Sequence, residues 1–488
     1  MTTTPILRQL PLFPDLDAVP KKPENKPNLH TFWLHQEMLP VSITSSPPAM
    51  RTLDLLGPLH WGDLPERNLE RDWGQPTISN AALIIAELVK LNEGLDSFGT
   101  LYRYLQEHTA FISLCGFPAI SPPKTGFSFN TRVFLPTQRH LTSMLRHIPN
   151  TCLQFLLADS IQLIGAELAA RGITWGDCIS LDTKHIIAWV QENNPKAYVA
   201  NRYDKHKQPC GDPDCRLGCK RKHNRPVEVS TPAHNSVTAS SSKVGEYYWG
   251  YGSGVVVTKV PVYGEFVLAE LTQPFDHGDL TYFFPLMHDT EARLGHKPRF
   301  GAFDAAFDAW YVYAYFSPEN DNSDGFAAVP FSEKGGYKTN GRTFAPDGLP
   351  MCLASLPMPL QYVFTDRTTC LIEHARGKYV CPIHFGQTRR RSCPVHDKRF
   401  AKGGCVVMMP ISIGARLRYQ IDRDSDAYKN LYRQRTACER INSQAVALGI
   451  ERPHLRNGVA IANQNTLIYL LINLRFLQRL CLAQPEVV

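Results

Sequence analysis

Ile179-Ser180-Leu181-Asp182-Thr183-Lys184 is the stretch on which the fold turns. It is a short run of buried character that ends on a carboxylate, the pattern of a strand delivering an acidic side chain at its end. A second run, Phe300-Gly301-Ala302-Phe303, ends on Asp304 in the same way. A third carboxylate, Glu439, lies in the helical stretch Tyr432-Arg433-Gln434-Arg435-Thr436-Ala437-Cys438-Glu439. There Tyr432, Arg435 and Glu439 fall at i, i+3 and i+7, which on a continuous helix is one face. Two strand-end carboxylates and one on a late helix can converge on two divalent metal ions. Such a pair clamps the attacking and leaving oxygens of an in-line phosphoryl displacement. Each acidic residue alone also reads as a turn, a cap or a surface partner, and Asp308 rivals Asp304; the ordered set carries the reading.

Working outward, Val255–Tyr263 and Phe266–Leu271 are rich in β-branched residues and flank a Tyr-Gly-Glu turn, which predicts a hairpin. Leu280–Leu294 reads as a helix, Phe300–Phe303 as a strand and Phe307–Phe316 as a helix. Residues 317–425 carry Gly, Pro and short strand-like runs and read as an inserted, mostly β segment. Tyr428–Leu448 is helical again. Asn465–Leu482 is the closing helix, whose apolar face should pack on the sheet. Upstream, Ala82, Ile85, Leu88, Val89 and Leu91 lie near a helical period, with Ser79 or Thr77 as cap, and Pro136-Thr137 opens another helix. Thr151–Arg171 is amphipathic, with Leu153, Leu157, Ile161, Ile164 and Leu168 as its stripe. The Pro- and Lys-rich residues 1–30 read as a flexible tail and 31–75 as loop-rich.

The order strand-Asp, hairpin, helix, strand-Asp, helix-Glu is that of an RNase H-like fold, with insertions in both long gaps. Here the chain resembles the DDE transposases of bacterial insertion sequences. Ser180-Leu-Asp-Thr-Lys184 is similar to that family's first-Asp strand, and Tyr248-Trp-Gly-Tyr251 to the lead-in of its second strand. Asp304-Ala-Ala-Phe-Asp308 is similar to its second-Asp motif, and Tyr432, Arg435 and Glu439 to its Tyr-x2-Arg-x3-Glu signature. A Lys often stands seven residues past that Glu; this chain has Val446. The resemblance implies an α/β (α+β) RNase H-like catalytic core over 173–316 and 426–484, preceded by an all-helical DNA-binding domain over 31–172. It implies that Asp182, Asp304 and Glu439 hold two Mg²⁺ (or Mn²⁺) ions, that Tyr432 and Arg435 position the DNA backbone, and that the partners are transposon ends and target DNA. Synapsis of two ends implies at least a homodimer, working in the cytoplasm at the bacterial nucleoid.

The bulk properties bound these expectations. The chain has 488 residues, enough for several structural units, and 43% hydrophobic with 20% charged residues describes a globular protein. Fifty-two Lys and Arg against 45 Asp and Glu give +7, a mildly basic balance that permits nucleic-acid binding. Met1–Gln9 lacks a basic start followed by an apolar core. The apolar Leu467–Leu482 is broken by Asn473, Arg475, Gln478 and Arg479, so we expect no membrane span.

Of 13 cysteines, Cys115, Cys152, Cys178, Cys438 and Cys481 sit in apolar or helical contexts and read as buried thiols. The others fall in two Cys/His-rich stretches, a pattern that points to metal sites in a reducing compartment. Cys210, Cys215, Cys219 and His223 form a candidate zinc knuckle in a basic insertion over 200–230, where Lys220, Arg221 and Lys222 face DNA phosphates. His206 is a spare donor. Cys381, His384, Cys393 and His396 form a second four-ligand set in the 317–425 insertion, with the basic run Arg389, Arg390 and Arg391 between its halves. Cys352, Cys370, His374 and Cys405 stand as replacement donors or as the makings of a further site. Both zinc sites would be structural, since a closed tetrahedral site leaves no open position.

Overall fold

The computed structural model describes residues 29–69, 77–117, 135–221, 245–318, 324–332, 342–367, 371–386 and 392–483. Residues 1–28 of the tail predicted over 1–30, Lys222, His223, Cys370 and Arg389–Arg391 lie outside them; residues 29 and 30 of that tail begin a helix. The chain divides into two compact units, Met1–Met144 and Leu145–Val488.

The first unit is helical. Its main helices are α1 (Asn80–Asn92) and α2 (Phe98–Glu107). The Ser79 hydroxyl caps α1 by accepting from the Ala82 amide at 3.0 Å, and Ser97 caps α2 by accepting from Thr100 at 3.1 Å. Short helices at Leu29–Leu34, Val41–Thr44 and Pro47–Leu56 replace the expected loop-rich region.

The second unit is mixed α/β. It begins with α3 (Asn150–Ala170), which sequence reading grouped with the N-terminal helices. Its Ile161, Ile164 and Leu168 instead belong to the core built on the sheet. Among the described residues this helix, not the closing one, is long and apolar enough to cross a membrane; Ile161, Ile164 and Leu168 of its stripe lie in that core.

The sheet holds β1 (Cys178–Ile187), β2 (Arg216–Arg221), β3 (Gly245–Val260), β4 (Gly264–Pro274), β5 (Phe300–Phe303) and β6 (Phe326–Ala328). Its order is β2-β3-β1-β5-β6, with β4 also on β3. Strand β3 runs antiparallel to β1 and β4, whereas β5 is parallel to β1 and β6 to β5. The predicted hairpin is β3–β4, longer than expected because Tyr248–Tyr251 is part of β3. Gly250 permits the β1–β3 contact: a Cβ there would meet the Ile186 carbonyl oxygen at 2.0 Å. Strand β6 shows that 317–425 is not wholly an insertion, since Phe326–Ala328 joins the main sheet beside β5.

Helix α4 (Phe283–Leu294) follows β4, and α5 (Trp310–Tyr315) follows β5. A separate antiparallel sheet, β7 (Leu360–Asp366), β8 (His374–Val380) and β9 (Val406–Pro410), comes next. The chain then enters α6 (Ile413–Gln420), α7 (Asp426–Tyr432), α8 (Thr436–Ala447) and the closing α9 (Gly458–Leu482). Asn473 of α9 satisfies the β4 edge, its amide accepting from Val267 N–H at 2.8 Å and donating to Val267 C=O at 2.9 Å.

Candidate active site

Leu181 of β1 pairs in parallel register with Phe303 of β5. The next residue of each pair is the carboxylate singled out by sequence, so Asp182 and Asp304 stand side by side; Asp304 follows the end of β5, whereas Asp182, expected at a strand end, lies mid-strand because β1 runs on to Ile187 against β3. The Asp304 carboxylate accepts from the Ala306 amide at 2.8 Å, which turns the chain away from β5. Asp182 accepts from the Thr183 amide at 2.9 Å through Oδ1 and from Asn442 Nδ2 at 3.1 Å through Oδ2. Burial pushes the Asp182 carboxyl up to about 6; Asp304 and Asp279 push the same way, against the Thr183 amide and Arg435.

Asp279 and Asn442 were not read from the sequence. Asp279 opens the turn before α4, and its Oδ1 accepts from Thr183 Oγ1 at 2.7 Å, tying the first residue beyond Asp182 to that turn. Asn442 lies three residues past Glu439 on α8, a spacing that was a usable signal for a shared face. Its amide nitrogen serves Asp182, while its Oδ1 is buried with no hydrogen-bond partner among the described residues.

The helix expected to be continuous from Tyr428 to Leu448 is broken by a 3₁₀ turn at Arg433–Arg435. Glu439 therefore lies in the first turn of a new helix, α8. It is half-exposed and accepts from Arg435 Nη2 at 2.6 Å. Arg435 lies within electrostatic reach of both Glu439 and Asp182 and carries its charge over the Tyr432 ring, 5.8 Å from the centroid. Tyr432 stacks on Tyr428 at 6.0 Å. Behind α8, the buried Cys438 thiol lies 3.1 Å from the Ser180 hydroxyl, which seats the helix on β1.

Asp308 is not a rival for the site. It accepts from Arg418 Nε at 2.6 Å and from Arg418 Nη2, from Tyr313 Oη at 2.9 Å and from the Ser332 amide at 2.7 Å. Every oxygen of that buried carboxylate is committed to structure.

The carboxylates that bear on Asp182, Asp304 and Asp279, offer oxygen donors and crowd it with like charge. That set suits a hard divalent cation such as Mg²⁺ or Mn²⁺, which relieves the crowding. As the side chains stand, no three His, Cys, Asp or Glu residues among those described are grouped at metal-binding spacing.

The first cysteine set is spread out. Cys210 is exposed, Cys219 lies on β2 opposite Tyr247, and Cys215 is buried with its thiol donating to the Asp212 carbonyl at 3.2 Å. Lys220 is exposed on β2, with Arg221 at the end of that strand. In the second set, His384 Nε2 sits 2.8 Å from the Phe400 carbonyl and His396 takes a left-handed backbone (φ 49°). Cys381 and Cys393 line a cleft that neither histidine lines.

Compared with known protein families and with curated proteins, the chain matches none.

Proposed function

We propose that the protein is a DDE transposase that cleaves DNA at the terminal inverted repeats of its own mobile element and transfers the ends to target DNA. The observation that carries this is the placement of Asp182, within β1, beside Asp304, just past the end of the parallel β5, with the Glu439 helix tied to Asp182 through Asn442. The strand order β4-β3-β1-β5-β6, with β3 alone antiparallel to β1 and its neighbour β4 completing the hairpin, supports the RNase H-like reading.

Asp182, Asp304 and Glu439 would hold the two Mg²⁺ (or Mn²⁺) ions, which when bound supply Lewis-acid polarisation of the scissile phosphate and an activated attacking oxygen. The protein's own groups do the rest. Asn442 fixes the orientation of the Asp182 carboxylate. Arg435, planar and multiply donating, suits a phosphate oxygen on the DNA backbone once it shares or leaves Glu439. Tyr432 and Tyr428 form an aromatic wall beside it. Lys220 on β2 adds positive charge for the phosphates.

The engagement of Glu439 by Arg435 favours one alternative, a DNA-binding relic of such an element that no longer cuts. A structure-specific nuclease on the same fold would cut without recognising ends. The deciding experiment is Mg²⁺-dependent cleavage of DNA carrying the element's flanking repeats, wild type against Glu439→Gln. Wild type should cut at the repeat ends, and Glu439→Gln should bind equally and not cut. Equal cutting by both removes Glu439 from the site. Specific binding with no cutting by either selects the relic, and cutting indifferent to the repeats selects the nuclease.

A further inference from the structure

The small sheet has little to hold it together. Its buried apolar cluster consists of Met358, Tyr379, Met409 and Ala415. A core of that size stabilises a three-stranded sheet poorly, and such modules in other proteins are held by a cross-link or a metal. At one end of this sheet the chain brings four cysteines to one cleft: Cys352, Cys381, Cys393 and Cys405 all line it, with Ile383 and Phe400.

Each arrives on a tight local structure. Cys352 starts a turn closed by Ser355 N–H donating to its carbonyl at 2.9 Å. Cys381 follows the last residue of β8 and precedes Pro382. Cys393 opens a turn in which His396 N–H donates to its carbonyl at 3.1 Å. Cys405 precedes β9 and follows Gly403 (φ 97°) and Gly404 (φ 85°). Those two left-handed glycines let the chain press onto Cys381: a Cβ on Gly404 would lie 2.4 Å from Cys381 Cβ and 2.7 Å from its sulfur. Cys405 lies within electrostatic reach of both Cys381 and Cys352. None of the four is in a disulfide.

We propose that Cys352, Cys381, Cys393 and Cys405 form one tetrahedral thiolate site that takes a structural zinc ion and staples the β7–β9 sheet. Four sulfurs about 2.3 Å from the metal satisfy a closed zinc site and leave no position for catalysis. As the side chains stand no three of these thiols are at metal-binding spacing, so binding would gather the sulfurs by rotation about each Cα–Cβ bond within the shared cleft. The other donor in the cleft, Asp397, is committed to Arg399, with Oδ2 accepting at 2.8 Å. This set replaces His384 and His396 of the sequence-derived set with Cys352 and Cys405.

The test uses the full chain, purified without chelator and free of any histidine tag, with zinc counted by mass spectrometry and its shell read by X-ray absorption. Cys352→Ser and Cys405→Ser should each lose one zinc per chain relative to wild type, while His384→Ala and His396→Ala lose none. Absorption should show a sulfur-only shell for the ion lost. Full zinc in Cys352→Ser, loss in His396→Ala, a sulfur–nitrogen shell for that ion, or a Cys381–Cys405 disulfide in the fresh protein would each overturn the set. Should the serine variants fail to fold, hydrogen exchange of wild type decides. Chelation should speed exchange in β8 and β9 but not in β1 or β3, with recovery on added ZnCl₂; uniform exchange with and without chelator overturns the proposal. None of these outcomes depends on DNA cleavage.

Discussion

Around the six-stranded sheet, a continuous cluster of buried side chains runs from Ile161 on α3 through Phe266, Phe283 and Phe303 to Leu480 on α9. Around the three-stranded sheet, the buried cluster among the described residues is Met358, Tyr379, Met409 and Ala415, with a few partly buried side chains against it. The contrast shows two ways of fixing a polar group. The large sheet has apolar area to spare, so it can hold Asp182 in a setting whose burial pushes its carboxyl up to about 6. The small sheet has no such reserve, and four cysteines line a cleft at its end.

Substitutions can sharpen or break this contrast. Phe303→Ala should cost about 3–5 kcal/mol of global stability in urea denaturation, and a cost near zero would deny the large core its role. Asp308→Ala should cost about 3 kcal/mol, because it leaves Arg418 buried beside an empty position. Its effect on β9 exchange should exceed that on β1, since α6 carries the small sheet's exit; equal effects would mean the two sheets unfold as one. Met409→Ala should cost about 2 kcal/mol, seen as faster exchange in β8 and β9.

The smallest effect is a pH slope. Burial pushes the Glu270 carboxyl from 4.5 up to about 7, against the opposing pull of Thr466, Gln154 and Arg293. Between those values the folded chain keeps a proton that the unfolded chain has lost. Stability from this group is therefore complete below pH 4.5 and is lost as pH rises through about 7. Glu270→Gln should flatten that decline in urea midpoints taken between about pH 5 and about pH 8; an unchanged slope would assign it elsewhere.

How much of this was legible beforehand depended on length and repetition. Phe300–Phe303 and the β3–β4 hairpin were readable because apolar or β-branched runs end at clear turn residues. Strand β2, Arg-Leu-Gly-Cys-Lys-Arg, has no β-branched residue and was read as a loop; its partner β3 makes it a strand. Strand β6 has three residues, too few for any periodicity. The break at Arg433–Arg435 carries neither Gly nor Pro, so nothing local announced it. Asp304 and Asp308 are equivalent on paper. Only the arrival of Arg418 and Ser332 from distant sequence separates them. Asn442 and Asp279 escaped because their partners, Asp182 and Thr183, are remote along the chain.

The bonds at Asp308 have one more consequence. Ser332, where the chain departs from the main sheet toward the small one, and Arg418, where it comes back, meet on the same carboxylate. The Arg423 guanidinium lies 3.6 Å from the centroid of the neighbouring Phe331 ring and closes the same gate. Everything between is a detour whose ends are already joined. Lengthening such a detour adds only a logarithmic entropy cost, about 0.6 kcal/mol per doubling. The small sheet is thus built as a cartridge: descendants of this gene could enlarge it, trade it or lose it while Asp182 and Asp304 stayed side by side.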